Sequence, residues 1–184
     1  MEIPTLTTGN ISLRAIDEKD IAALFSLFSQ EKVVRFMDIE RFVNVSEAVQ
    51  LIAFFRDKLA RGEGMRWAIT LNGHNELIGT CGFHHINRTH YKMEMGYDLL
   101  PSYWGKGIMT NCIHRLMQYG FEDLQINRIE AFVDPANTHS RQLLERLGFE
   151  QEGKVRQAFF QKGKFVDAFI YSLLQRDYRY DMQF

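Results

Sequence analysis

Cysteine and proline are both scarce in this chain, at two and three among 184 residues. The two thiols, Cys81 and Cys112, sit in apolar periodic segments, which excludes a disulfide framework and points to core thiols. No uninterrupted apolar run approaches membrane-spanning length. Met1-Glu2-Ile3-Pro4 also lacks the basic and then apolar pattern of an export signal. A cytoplasmic protein with no membrane partner is therefore expected. Charge of one sign is missing too, with 22 Lys and Arg against 23 Asp and Glu. That balance argues against nucleic-acid binding, which needs concentrated positive charge, but leaves a small anionic ligand possible at one helix end. Compact metal-ligand spacing is absent as well. His84 and His85 are neighbours on a predicted strand and should point to opposite faces, so no metal is expected. Large side chains are what the chain has, with 15 Phe and 7 Tyr. They suit an aromatic-rich core or a groove partly lined by rings.

The length suits one domain, and no linker, repeat or low-complexity tract divides residues 1–184. Residues 11–14 alternate as a short strand. Asp17 is placed to cap a helix reaching about residue 29, whose stripe is Ile21, Leu24, Phe25 and Phe28. A second helix is predicted to follow Ser46 and to end near Gly62 and Gly64, with Val49, Ile52, Ala53, Phe55 and Leu59 at a helical period. Residues 31–45 between them look irregular and are a candidate acceptor-facing loop. The period then becomes strand-like over 65–71, 76–86 and 91–99, with a turn at 72–75. A helix over 107–121, a strand over 128–133 and a helix over 138–147 ending at Gly148 follow. Two strands, 150–160 and 165–174, close the pattern. This order implies α/β (α+β) architecture: helices flanking a mixed, mostly antiparallel sheet whose core spans about 11–174. Strand 91–99, helix 107–121 and strand 128–133 form a βαβ unit, so those two strands should be parallel neighbours.

The sharpest local signal is Trp104-Gly105-Lys106-Gly107-Ile108-Met109-Thr110, which follows a strand and opens a helix. Two glycines spaced by one residue let backbone amides converge on oxygen atoms, and the free amides of the first helical turn add positive potential. An ordinary tight turn before a helix fits the same residues. The segment is neither a Walker loop nor a dinucleotide fingerprint, because the Gly-Lys-Ser/Thr ending and the third glycine are absent. Lys106 reads equally well as a phosphate contact or as a solvated turn lysine. A second signal is Asn137-Thr138-His139-Ser140, followed by Leu147-Gly148-Phe149. Here Asn137 suits a helix cap and Ser140 an early-turn hydroxyl.

Taken together with Leu13-Arg14, Met95-Gly96-Tyr97, Glu152-Gly153, Arg156, Asp167 and Tyr171-Ser172-Leu173-Leu174, these segments resemble the GCN5-related N-acetyltransferase superfamily. Within it they are similar to the RimJ/RimL-type enzymes that acetylate ribosomal-protein N-termini. The resemblance covers nearly the whole chain. It implies a single-domain acyl-CoA N-acyltransferase fold with a splayed, parallel central strand pair. It also implies acetyl-CoA as cosubstrate, with its pyrophosphate on Trp104, Gly105, Lys106, Gly107, Ile108, Met109 and Thr110. Pantetheine would pair with backbone around Met95, Gly96, Tyr97 and Leu99, with Gly96 as a bulge that aims the thioester. Asn137 would hold the cofactor or cap its helix. Trp104 and Met109 depart from the family loop Gln/Arg-x-x-Gly-x-Gly/Ala, and Met109 would have to turn its thioether toward the core.

Acetyl transfer needs a neutral amine placed on the thioester, a route for its proton and a donor for the leaving thiolate, but no covalent nucleophile. Many relatives carry a tyrosine acid where this chain has Leu144. Ser140, one turn earlier, resembles the serine of the ribosomal-protein group and is the candidate acid. Glu94 is the candidate base, directly or through water, with Asp167 and His84 as further candidates; a solvent-facing Glu94 is the plain alternative. No dedicated base is needed if the acceptor has the low pKa of an α-amine. Phe159 replaces a residue that is often acidic in the subgroup. The expected reaction is direct transfer to a primary amine in a ternary complex. The leading acceptor is a peptide N-terminus, including that of a ribosomal protein. A small amine such as an antibiotic, polyamine or amino acid is the alternative, and a non-enzymatic acyl-CoA-binding module is the third reading. An exposed strand or helix leaves a homodimer open, with no decisive interface pattern.

Overall fold

The computed structural model describes residues 2–178. Its frame is a sheet of β1 (Leu6–Thr8), β2 (Ile11–Ala15), β3 (Met65–Leu71), β4 (Gly79–Asn87), β5 (Lys92–Leu99), β6 (Arg128–Val133), β7 (Glu150–Gln161) and β8 (Lys164–Leu174). Among the described residues these eight strands lie in the order β1-β2-β3-β4-β5-β6-β8-β7. Every pair is antiparallel except β5 with β6, which run parallel. The mixed sheet and its single parallel pair agree with the expectation from sequence. β1 adds to that expectation, since a three-residue strand is too short to display a period.

The helices are α1 (Ile21–Phe28), α2 (Glu31–Val34), α3 (Val45–Ala60), α4 (Ile108–Gln118) and α5 (Thr138–Arg146). α1 begins after a short turn of 3-10 helix capped by Asp17, whose side chain accepts from the Lys19 amide at 2.8 Å. The segment expected to be irregular contains α2. α3 starts before Ser46: its cap is Asn44, and Glu47 accepts from the Asn44 amide at 2.7 Å. The pair Asn44…Glu47 thus supplies the capping box that Ser46…Val49 lacked. β4 opens at Gly79 rather than at Glu76, and α4 passes at Tyr119 into a wider π-type turn, Tyr119–Asp123.

Alternation along the strands separates two apolar layers. Leu13, Trp67, Cys81, Phe83, Met93 and Met95 point to one face, where they pack with Cys112, Ile113, Leu116 and Met117 of α4 and with Leu144 of α5. On the other face Ala68 packs with Leu24, Leu27 and Phe28 of α1, Val34 of α2, and Ala48 and Ile52 of α3. The strand residues interleaved with the first set are polar or small: Arg66, Thr80, Gly82, His84, Glu94, Gly96 and Asp98. The α1–α3 side of the sheet therefore carries a row of polar and small residues, and the α4–α5 side carries most of the core. Both cysteines are buried in that core, and the Cys112 thiol is pushed well up by its hydrogen bond with Cys81 and by burial. They are inert packing groups in this state.

Candidate functional site

β5 and β6 stay together only briefly. Their register covers Lys92–Arg128, Met93–Ile129 and Glu94–Glu130 and goes no further. From Met95 to Leu99 the β6-facing edge of β5 has no strand partner. A wedge-shaped opening results, with a strand edge that β6 does not cover along one wall. At its mouth the chain passes into the glycine-containing turn.

In that turn both Gly105 and Gly107 adopt left-handed backbone, at φ +72° and +73°, and nothing lies within 4 Å of the side chain either one lacks. Left-handed backbone is nearly free for glycine and strained for other residues, so the spacing of the two glycines has a conformational cause. Gly107 is the N-cap of α4, and the first amide to return a bond to it is that of Asn111, 3.1 Å from the Gly107 carbonyl. The earlier amides of the turn are those a helix leaves without intrahelical partners. Together they form a cradle suited to an anion such as a pyrophosphate. The Trp104 indole donates to the Leu99 carbonyl at 2.7 Å, which ties the turn to the end of β5. Met109 packs against the core rather than across the cradle, so the departure at this position does not crowd it. The Lys106 ammonium sits 5.3 Å from the centre of the Tyr103 ring.

Across the opening, the Ser140 hydroxyl of α5 lies 2.7 Å from the Tyr97 hydroxyl of β5. Asn137 caps α5 by accepting from the Ser140 amide at 3.2 Å, which holds the serine in the first turn. Burial, only partly offset by the bond with Ser140, pushes the Tyr97 phenol up to about 12. It is therefore a neutral hydroxyl at ordinary pH, able to donate. The sequence marked Tyr97 for its backbone alone. Its side-chain partnership joins residues far apart in the chain, and no local pattern signals it.

On the opposite face Arg66 of β3 is fixed from several directions. Its guanidinium contacts the buried Asp98 carboxylate through Nη2, and its Nε donates to Thr80 Oγ1 at 3.0 Å. It also lies over the Phe55 ring of α3, at 5.8 Å. The remaining nitrogen, Nη1, is 3.0 Å from where a Cβ of Gly96 would stand, and His84 Cε1 is 3.3 Å from the same point. A side chain at Gly96 would press on both groups, so glycine lets them come this close. The expected bulge at Gly96 is absent: its pairing with Gly82 is in unbroken register, and the irregularity falls on β4 between His84 and Asn87.

That irregularity has a consequence for the histidines. His85 takes a left-handed φ of +49°, and alternation fails there. Instead of opposing faces, both imidazoles reach one carboxylate: His84 Nε2 is 3.2 Å and His85 Nδ1 is 3.0 Å from the two oxygens of Glu94. Burial works to raise the Glu94 pKa, but the bonds from His84 and His85 outweigh it and hold the carboxyl below its ordinary range. A carboxylate with both oxygens occupied and its affinity for protons lowered suits an orienting role better than that of a direct base. With Nε2 on Glu94, His84 Nδ1 is the nitrogen closer to Gly96, at 3.6 Å from the missing Cβ. Asp167, the other acidic candidate, is tied within the β7–β8 hairpin by Lys154 at 2.6 Å and by the Gln157 amide at 2.8 Å. Phe159 packs edge-on against Phe132 of β6, with ring centres 5.7 Å apart.

The site therefore combines an anion cradle, a wedge where β5 leaves β6 and a hydroxyl pair that meets across it. A guanidinium and an imidazole–carboxylate pair lie over a glycine on the opposite face of the sheet. Residues 10–150 match the family described as an acetyltransferase (GNAT) domain. The uncharacterized N-acetyltransferase p20 of Bacillus licheniformis is 38% identical over 174 residues, covering 95% of this chain and 98% of that protein. The candidate ribosomal N-acetyltransferase YdaF of Bacillus subtilis is 28% identical, with 92% and 93% covered. The spermidine N(1)-acetyltransferase of Escherichia coli is 26% identical, with 92% and 88% covered. Among solved structures, the microcin C7 self-immunity acetyltransferase MccE, in complex with acetyl-CoA and AMP, superposes with a TM-score of 0.82. It is 26% identical, with 91% of this chain and 93% of that one covered.

Proposed function

The chain belongs to the GNAT acetyltransferase family and is an acetyl-CoA-dependent N-acetyltransferase, and on that premise we propose that its acceptor is an α-amine beside a carbonyl group, as at a peptide N-terminus, including that of a ribosomal protein. The observation that carries this reading is the pairing of Arg66 Nη1 and His84 over Gly96, at 3.0 and 3.3 Å from its missing Cβ. An α-amino acyl group offers an amine that must lose a proton and, one carbon away, an oxygen that accepts a hydrogen bond. The imidazole and the guanidinium answer those needs in turn. A polyamine offers cations only, which a fixed guanidinium opposes. The likeness to YdaF supports a protein acceptor. The likeness to the spermidine enzyme supports a small amine, and that second reading also draws on the Glu94 and Asp98 carboxylates of the same face.

When bound, acetyl-CoA supplies the activated acetyl group as a thioester. The backbone of Gly105 to Thr110 would hold its pyrophosphate, and the edge of β5 from Met95 to Leu99, which β6 leaves uncovered, would pair with its pantetheine. Gly96 lets Arg66 and His84 come close to the strand beside the reacting groups. His84 Nδ1 takes the proton as the amine nitrogen forms its bond to the acetyl carbon. Glu94 fixes the tautomer by holding His84 Nε2–H. Ser140, with Tyr97 behind it, donates to the sulfur as the carbon–sulfur bond breaks. An α-amine, with an ordinary pKa of about 7.7–8.0, makes a modest base sufficient.

Initial rates with a free-amine peptide, an Nα-blocked lysine peptide, propylamine and spermidine test the assignment. The free-amine peptide should lead in kcat/KM by at least about tenfold, or ~1.4 kcal/mol, which is the size of one charge-assisted hydrogen bond. Arg66→Lys should narrow that lead. A preference for spermidine or propylamine in the unaltered protein would overturn it.

A further inference from the structure

We propose that His84, His85 and Glu94 form a site for one divalent transition cation of borderline softness, Zn2+ or Co2+, on the solvent side of the acetylation site. One ligand atom from each residue lies within 4.8 Å of the other two. His84 Nε2 and His85 Nδ1 already stand 3.2 and 3.0 Å from Glu94, the first from Oε2 and the second from Oε1. A tetrahedral ion with bonds of about 2.0–2.1 Å spaces adjacent donors by roughly 3.3 Å, so three atoms already within 4.8 Å of one another need only close up around it. Two imidazoles and one carboxylate suit zinc or cobalt better than magnesium or calcium, which prefer all-oxygen shells.

The convergence depends on local backbone. Adjacent side chains on a regular strand diverge, and only the left-handed His85, at φ +49°, brings both rings to one carboxylate, with ring centres 5.1 Å apart. Access is open, since the side chains of His85 and His84 are 70% and 44% exposed. With three protein ligands, a fourth position would remain for water or a reactant.

Occupancy would also bear on the reaction. A neutral imidazole has one N–H and one lone pair, so an ion on His84 Nε2 places the proton on Nδ1, the nitrogen nearer Gly96, and removes the base. That inhibitory consequence rests on the acceptor-side roles proposed above, whereas binding does not, and the test therefore reads binding. Zn2+ and Co2+ are titrated against a chromophoric chelator in the full chain and in His84→Gln, His85→Asn and Glu94→Gln, with His90→Asn as control. Asparagine at position 85 tolerates left-handed backbone while removing the imidazole. Thermal unfolding in a chelator shows which variants are folded, and any one folded ligand variant suffices for the comparison. The expected result is one ion per chain, weakened at least tenfold in each folded ligand variant and unchanged in His90→Asn. Absence of saturable binding at micromolar metal, or binding that survives loss of a ligand, would overturn the site.

Discussion

Replacing Gly107 by valine tests the cradle most directly. Gly107 sits at φ +73° with nothing within 4 Å of its missing side chain, so steric crowding by neighbours plays no part. The penalty is conformational: a left-handed L-residue costs about 1–2 kcal/mol, and β-branching makes the upper end the better guide. Because the turn faces open space, the free protein can relax a valine at this position to negative φ. Binding must then restore the left-handed turn to realign the amides. The strain therefore falls on donor affinity rather than on stability, and about 1–2 kcal/mol corresponds to roughly 5- to 30-fold in Kd. Calorimetric titration with coenzyme A should show Gly107→Val weaker by about 30-fold and Gly107→Ala by about fivefold. Gly107→Asn should be the mildest, because asparagine tolerates this backbone. Thermal unfolding midpoints without ligand should stay close together, and kcat at saturating donor should change little. An unchanged Kd in Gly107→Val would refute the assignment of this turn to the pyrophosphate.

Ser140→Ala should lower kcat about 10- to 100-fold with little change in donor affinity, short of the full effect of a general acid because the Tyr97 hydroxyl remains nearby; unchanged single-turnover rates would remove the acid role. The Glu152 carboxyl is held down to about 2 by Arg128 and by Ser172. A depressed folded-state pKa contributes stability that is fully present above the ordinary value near 4.5 and is lost as pH falls through about 2. Glu152→Gln should therefore be less stable than the parent at neutral pH, by a margin that narrows between about pH 5 and 2. Urea midpoints that differ equally at both ends would contradict the ion-pair explanation.

Much of the framework was legible because it follows from short-range rules. The strands at Met65–Leu71 and Arg128–Val133 fall where their period placed them, since apolar alternation depends on adjacent residues alone. The turn 104–110 was legible for a related reason: two glycines before a helix mark positive φ, and both have it. Where local signals competed, the reading slipped. Asn44 took the cap assigned to Ser46 because Glu47 completes its box, and one left-handed residue at His85 cancelled the alternation that placed the histidines apart.

The residues by themselves thus determined the fold class, the parallel crossover and the turn that opens α4, because each is written in periodicity and backbone preference within a few residues. Only the tertiary structure decided what stands around those pieces. It parted β5 from β6 after Glu94, joined Tyr97 to Ser140 across the gap, and brought Arg66 and His84 together over Gly96. Those contacts link strands and helices distant in sequence, and their geometry depends on sheet register and packing, which no short stretch of residues contains.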